Sequence, residues 1–143
     1  DQGFLSLWVW HYLQKKKLNY IGYGGYGHQV RDILHISDLC NLIFLQIKKI
    51  NSINNVRFTV GGGLKNAISL KTLSNICENV IGNKIRIGKV TKTNIYDVPY
   101  YVSSNRTISK IYLWKPIKSI KNIVIDVYKW QKENFSYLKK INK

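Results

Sequence analysis

The feature with most chemical potential is a single arginine, Arg31, placed just after a glycine-rich turn. Residues Gly22 to Asp38 read G-Y-G-G-Y-G-H-Q-V-R-D-I-L-H-I-S-D. Gln29 to Leu34 alternates apolar and polar like a short strand, which fixes the direction of Arg31. An arginine held this way suits a bound anion such as a diphosphate. Its planar, permanently charged fork can grip two phosphate oxygens together.

The same stretch contains Gly22-x-Gly24-x-x-Gly27, the spacing of a dinucleotide fingerprint. Such a fingerprint follows a long apolar strand and opens a helix whose N-terminus holds the pyrophosphate. Here the preceding strand is short, and a strand-like segment rather than a helix follows. The turn is therefore read as close backbone passage near Arg31, not as a cofactor loop. A second glycine run, Gly61-Gly62-Gly63, ends a β-branched segment. It has two readings: backbone N–H groups open to a phosphate, or a flexible turn into the next helix. His28, His35, Asp38 and Cys40 match no common zinc spacing, so no metal is expected. No G-x-S-x-G elbow is present, and no catalytic residue is assigned.

These residues are carried on a chain of 143 residues, enough for one domain with a core. Hydrophobic content of 45% and aromatic content of 13% indicate a folded chain. No apolar run approaches the ~20 residues of a membrane span, and no signal peptide is recognisable. Methionine is absent, so the chain is expected to be a processed product or, the reading favoured here, the downstream part of something longer. The net charge of +16 has two readings. One is a polyanionic partner such as RNA, making the chain a basic binding module without catalysis. The other, favoured here, is base-composition bias, because Lys, Ile and Asn are all abundant and the charge is spread evenly. Cys40 and Cys77 fall on apolar helix faces and are expected in the core of a cytoplasmic protein.

The elements that must position Arg31 follow from periodicity. Helices are expected over 2–17, from Ser37 or Asp38 with Leu39, Leu42, Ile43, Ile47 and Ile50 inward, and from Ser69 to Ile81 with Gly82 as terminator. A short helix is expected over 105–112. One long final helix follows Ser119, with Ile120, Ile123, Val124, Val127 and Trp130 inward. Strands are expected at 19–21, 29–34, 56–60, 84–90 and 100–102. The four tryptophans are read as core. This is an α/β pattern in one region, 1–143, without an interdomain linker.

Taken in order, Asp1-Gln2-Gly3-Phe4, Gly24-Gly25-Tyr26-Gly27-His28-Gln29-Val30-Arg31-Asp32, Phe58-Thr59-Val60-Gly61-Gly62-Gly63, Asp97, Trp114-Lys115-Pro116 and Glu133-Asn134 resemble one pattern. It is that of the C-terminal half of NAD-dependent epimerase/dehydratases, the extended short-chain dehydrogenase/reductase family. The resemblance covers essentially the whole chain and is nearest the CDP-paratose (CDP-tyvelose) 2-epimerase branch. It implies the last elements of a Rossmann-type domain plus a small α/β substrate domain. It implies a nucleotide-sugar substrate such as a CDP-hexose, NAD bound by an N-terminal half, and a cytoplasmic homodimer. It also implies that Arg31 and Gln29 contact the nucleotide diphosphate, with Asn94 and Asp97 nearby. Asn94 stands where relatives carry a second arginine, Ser104 where they carry Asp, and Thr59 where they carry Asn. The family's catalytic Tyr-x-x-x-Lys is not matched in context. Tyr12-x-x-x-Lys16 has the spacing but lies in the helix that follows the catalytic region in relatives. The chain by itself is expected to be inactive, since it encodes neither hydride acceptor nor base.

Overall fold

The computed structural model describes residues 3–53 and 55–141. The expected helix start at Gln2 lies outside them. The chain divides into two compact units. The first comprises 1–29, 69–99 and 121–143, and the second 30–68 and 100–120. The sequence shows one region because the chain passes between the units at tight junctions inside elements or turns, not through polar linkers.

The first unit is built on α1 (Phe4–Gln14) and α3 (Leu70–Ile81), with the parallel pair β1 (Leu18–Ile21) and β4 (Ile87–Val90). α1 ends earlier than its lysine run suggests, because Lys15 adopts a left-handed conformation and returns its N–H to the last turn. The Ser69 side chain accepts from the N–H of Thr72 at 3.1 Å and caps α3. Gly82 closes that helix at φ +78°.

Leu5, Trp8, Val9 and Tyr12 of α1 meet Leu73, Ser74 and Cys77 of α3 in the core. Ser74 is the polar hub of this contact. Its hydroxyl accepts from Trp8 Nε1 and from Tyr20 Oη, each at 2.9 Å, and donates to the Leu70 carbonyl. Both lone pairs and the proton are thus used, so the burial of Ser74 leaves no polar group unmet. The final helical segment breaks at Asn134 into α5 (Ile120–Glu133) and α6 (Phe135–Ile141). Gln131 Nε2 donates to the Ser6 carbonyl at 2.9 Å, and Phe135 packs on Trp10 with ring centroids 5.4 Å apart. Trp130, expected inward, is 54% exposed. Gln131, one residue on, takes the buried position.

Burial pushes the Cys77 thiol up from 9.0 to about 12. Burial also lifts the Tyr12 phenol from 10.0 to about 12. Both protons are held more tightly in the folded chain than in the unfolded one. Their contribution to stability is therefore complete below the unfolded pKa and is lost as pH rises from about 9 toward 12. Urea midpoints should fall over that range, and less steeply in Cys77→Val. Equal slopes for the two proteins would exclude a buried Cys77 thiol.

The second unit contains a three-stranded sheet in the order β3 (Ala67–Ser69), β2 (Val30–Asp32), β5 (Tyr100–Tyr101). β2 and β5 are parallel, with Val30 opposite Tyr100 and Arg31 opposite Tyr101. α2 (Ile36–Lys48) and α4 (Arg106–Tyr112) supply its helices. Its core is Leu42, Ile108, Tyr112 and Trp114, with Phe58 edge-on to Tyr112 at 5.8 Å.

Asp38, expected as a possible helix cap, does something else. His35 caps α2, accepting from the N–H of Ser37 at 3.1 Å. Asp38 is buried, and its Oδ2 accepts from the N–H groups of Ile117 and Lys118 at 3.2 and 3.1 Å. Its backbone carbonyl accepts from Trp114 Nε1 at 3.0 Å. The Trp-Lys-Pro segment is thereby strapped to the first turn of α2.

Three expectations fail here. Val56–Val60 forms no strand among the described residues, because a strand needs a ladder partner and none is supplied. On α2 only Leu42 of the five expected inward apolar residues is buried, and Ile43, Ile47 and Ile50 are exposed. Cys40 is exposed too, not in the core.

Candidate functional site

β2 places Arg31 in the central strand of its sheet, half-buried, with Nη1 donating to the Val30 carbonyl at 2.8 Å. The neighbouring carboxylate is engaged elsewhere. Asp32 Oδ2 accepts from the N–H of Gly63 at 2.8 Å, and Oδ1 accepts from Ser103 Oγ at 3.4 Å. Period-2 alternation puts these two side chains on opposite faces of the strand. One face of β2 thus carries a guanidinium, and the other ties down a loop.

That loop is the triple glycine. Asn105 holds Gly61 from both sides, accepting from its N–H at 3.1 Å and donating to its carbonyl at 2.8 Å. A Cβ on Gly61 would overlap Asp32 and Ser103, and one on Gly62 would overlap the backbone of Ile33. The glycines are there so that this segment can lie against β2. The N–H groups of Gly61 and Gly63 are both spent on side chains, which removes two of the three donors that the phosphate-cradle reading of this run needs. A cavity of 550 Å³ opens beside the loop, lined by Gly62, Lys65, Ser103, Asn105 and Lys115 among others. Ser104, where the resemblance expects Asp, is also part of its wall, whereas Arg31 is not.

The other three expected site residues belong to the first unit. Gln29 is 7% exposed, and its Nε2 donates to the Ile21 carbonyl. Its Oε1 has no partner among the described residues. Asn94 and Asp97 share one loop. Asn94 Oδ1 accepts from the N–H of Tyr96 at 3.0 Å, and its carbonyl accepts from the N–H of Asp97 at 3.0 Å. The residue at the second-arginine position thus builds its own turn with its side-chain oxygen.

Tyr23 fastens this loop to the glycine turn. Its N–H donates to Thr93 Oγ1 at 2.8 Å, and its hydroxyl donates to the Asp97 carbonyl at 2.7 Å. Tyr23 sits at φ +48°, a left-handed conformation that costs a non-glycine residue about 1 kcal/mol. Sequence reading misses Tyr23 and Thr93. The available signal is a tyrosine flanked by glycines in a turn, where its backbone must follow theirs.

The glycine turn does not fit a dinucleotide. Added Cβ atoms at Gly25 and Gly27 would meet Lys89 and the Tyr20 ring, so these glycines already face protein. The turn leads into β2, and the first helix after it starts at Ile36. Nothing here offers a pyrophosphate a helix N-terminus. Among the described residues no group of three His, Cys, Asp or Glu side chains could hold a metal ion. No helix among them is long and apolar enough to cross a membrane. Chemically, the residues at hand can bind and orient an anion.

No family model matches the chain, and no curated protein matches it. Solved structures do. An epimerase from Methanothermobacter thermautotrophicus aligns with a TM-score of 0.82 at 14% identity, over 97% of this chain and 40% of that one. UDP-glucose 4-epimerase from Thermotoga maritima, solved with UDP-glucose, aligns at 0.77 and 16%, over 93% and 40%. dTDP-glucose 4,6-dehydratase from Bacillus anthracis, solved with NAD, aligns at 0.71 and 22%, over 92% and 39%. The chain therefore spans about two-fifths of the length of these enzymes. Throughout that span it has the mixed α/β fold of nucleotide-sugar epimerases and dehydratases.

Proposed function

We propose that this chain is the C-terminal, substrate-binding part of an NAD-dependent nucleotide-sugar epimerase, nearest in sequence pattern to the CDP-paratose 2-epimerases. The observation that carries the reading is Arg31 on the central strand of its sheet, shortly after the glycine turn. The fold shared with a UDP-glucose-bound epimerase supports it.

In this reading Arg31 holds the nucleotide diphosphate through charge-assisted hydrogen bonds. By the family resemblance alone, Gln29, Asn94 and Asp97 are proposed as further polar contacts of the nucleotide diphosphate. The complete enzyme works in the cytoplasm as a homodimer and epimerises a sugar carbon through a transient ketone. NAD, held outside this chain, would supply the hydride chemistry. The residues here contribute binding and orientation, which by themselves accelerate no bond change in a sugar carbon.

Two measurements on the isolated chain test this. Titration calorimetry should show CDP or UDP binding, with the matching monophosphates weaker by about tenfold or more for the lost charge-assisted contacts. Absence of diphosphate binding would sink the substrate role. Incubation with NAD and a CDP-hexose should leave the sugar unchanged, and turnover by the bare chain would sink the division of labour.

A further inference from the structure

The 550 Å³ cavity beside the glycine loop lies wholly within the second unit, and the proposed diphosphate contacts are not in its wall. Two separate stretches of chain each bring a lysine to it. Lys65 comes from the turn after the loop, and Lys115 from the Trp-Lys-Pro segment. Neither ammonium has a hydrogen bond or ion pair among the described residues. The hydroxyls of Ser104 and Ser109, also in the wall, are likewise unpaired among them. No carboxylate is among the residues that line the cavity. A cleft lined by charge of one sign concentrates ions of the other.

The glycine loop adds a donor. The amides of Gly61 and Gly63 are committed to Asn105 and Asp32. Gly62 is buried and lines the cavity, and its N–H has no partner among the described residues. A buried N–H left unpaired is costly, and nearly all find an acceptor. Residue 104 makes the charge balance a property of this chain. The resemblance expects Asp there, which would offset one lysine and repel an anion. Ser104 removes that repulsion and offers a hydroxyl instead.

The donors also select the ligand. Two ammonium groups balance a dianion. Lysines are compact point charges that suit an anion with oxygens on several sides, whereas a planar carboxylate is better matched by an arginine fork. A phosphomonoester carries about −1.5 to −2 charges at pH 7 and presents three strong acceptor oxygens. Leu64, Val102 and Pro116 give the wall an apolar part for the carbon skeleton. The volume falls within the range of about 300–1,000 Å³ typical of small-molecule pockets.

We infer that this cavity is a second anion site, in which Lys65 and Lys115, with Gly62, Ser104 and Ser109 as further donors, hold the phosphate of a small phosphomonoester. The inference does not rest on the reading above, since Arg31 is outside the cavity wall.

Titration calorimetry of the whole chain with glycerol 3-phosphate, at one ionic strength and with glycerol as the blank, tests it. Saturable binding is expected. Ser104→Asp should weaken it by about tenfold or more, and so should Lys65→Met/Lys115→Met, for opposed or lost charge-assisted contacts. All three positions are exposed, so the substitutions leave the core untouched. Lys121→Met/Lys129→Met removes the same charge from exposed positions on α5 and should bind like the wild type. Absence of saturable binding overturns the inference. So does an equal loss in the two lysine pairs, which would mean unspecific attraction to a basic chain. Binding that ignores the cavity substitutions places the phosphate elsewhere, and overturns this inference while leaving the Arg31 reading intact. A second readout needs no substitution: the amide resonance of Gly62 should move during the titration of the wild-type chain, and a stationary Gly62 resonance at saturation overturns the inference.

Discussion

Replacing Arg31 by alanine should weaken CDP or UDP binding by about ten- to a hundredfold. Hydrogen bonds to a charged group contribute about 1.5–3 kcal/mol, and a tenfold change in affinity corresponds to about 1.4 kcal/mol. The effect falls at the upper end if both arms of the fork engage the diphosphate. Arg31→Lys separates charge from shape. It keeps the positive charge and loses the planar fork, so it should recover only part of the affinity. Asn94 sharpens the dependence. Where the resemblance expects a second arginine, an uncharged side chain has its oxygen committed to Tyr96, so this loop contributes no guanidinium of its own. Calorimetry of the three proteins at one ionic strength decides the matter. A dissociation constant unmoved by Arg31→Ala removes Arg31 from the site. Loss of the native thermal transition in that variant would instead make its role structural.

Gly62→Ala should be the most destabilising single-methyl change in the second unit. The added Cβ would overlap the carbonyl and nitrogen of Ile33, which are backbone atoms and cannot rotate aside. Ile33 is itself fixed, its N–H donating to the Asn66 carbonyl at 3.1 Å. Relief therefore means separating the glycine loop from β2, with loss of the Gly63–Asp32 bond as well. Overpacking costs about 1–3 kcal/mol and occasionally more, and this site belongs at or above the top of that range. Gly63→Ala is the control. Gly63 has φ +67°, but its Cβ would meet nothing closer than Asn105 Nδ2 at 3.1 Å. Its cost should be the conformational one, about 1–2 kcal/mol. Urea denaturation midpoints should rank wild type, Gly63→Ala and Gly62→Ala in falling order. A Gly62→Ala midpoint at or above that of Gly63→Ala would contradict the close approach.

Which of these features were legible in the sequence depends on whether their causes are local. α3 was readable end to end, because a serine cap, a single apolar face and a C-terminal glycine all lie within the helix and its neighbours. Placing Arg31 on a strand after a glycine turn also needed only local alternation. The Gly61–Gly63 run was readable as a turn, but its purpose was not. Whether its amides face solvent or side chains depends on Asp32 and Asn105, 31 and 44 residues away from their partners. Asp38 was misread for the same reason. A carboxylate at a helix start has the composition of a cap, and only the return of Ile117 and Lys118 shows what it holds. α2 failed differently. Periodicity marks apolar residues without saying which side packs within the chain, so a helix with two apolar sides gives one correct answer and one false one. Val56–Val60 is the strand version of that ambiguity, since β-branched composition supplies the side chains of a strand but not its partner.

The interleaving of the two units bears on how the protein is made. The first unit takes its segments from the beginning, the middle and the end of the chain, and its closing contacts include Gln131 with Ser6, 125 positions apart. The second unit needs only residues 30–68 and 100–120. On a ribosome, which extends chains at about 5–20 residues per second, the second unit is complete first. α1, though emerging before both units are complete, waits with Trp8 exposed until α3 arrives and with Trp10 exposed until α6 arrives. Long-range closure of this kind is slow relative to local helix formation. The segment most in need of a chaperone is therefore α1, and damage to the last two helices leaves Trp10 without its Phe135 contact.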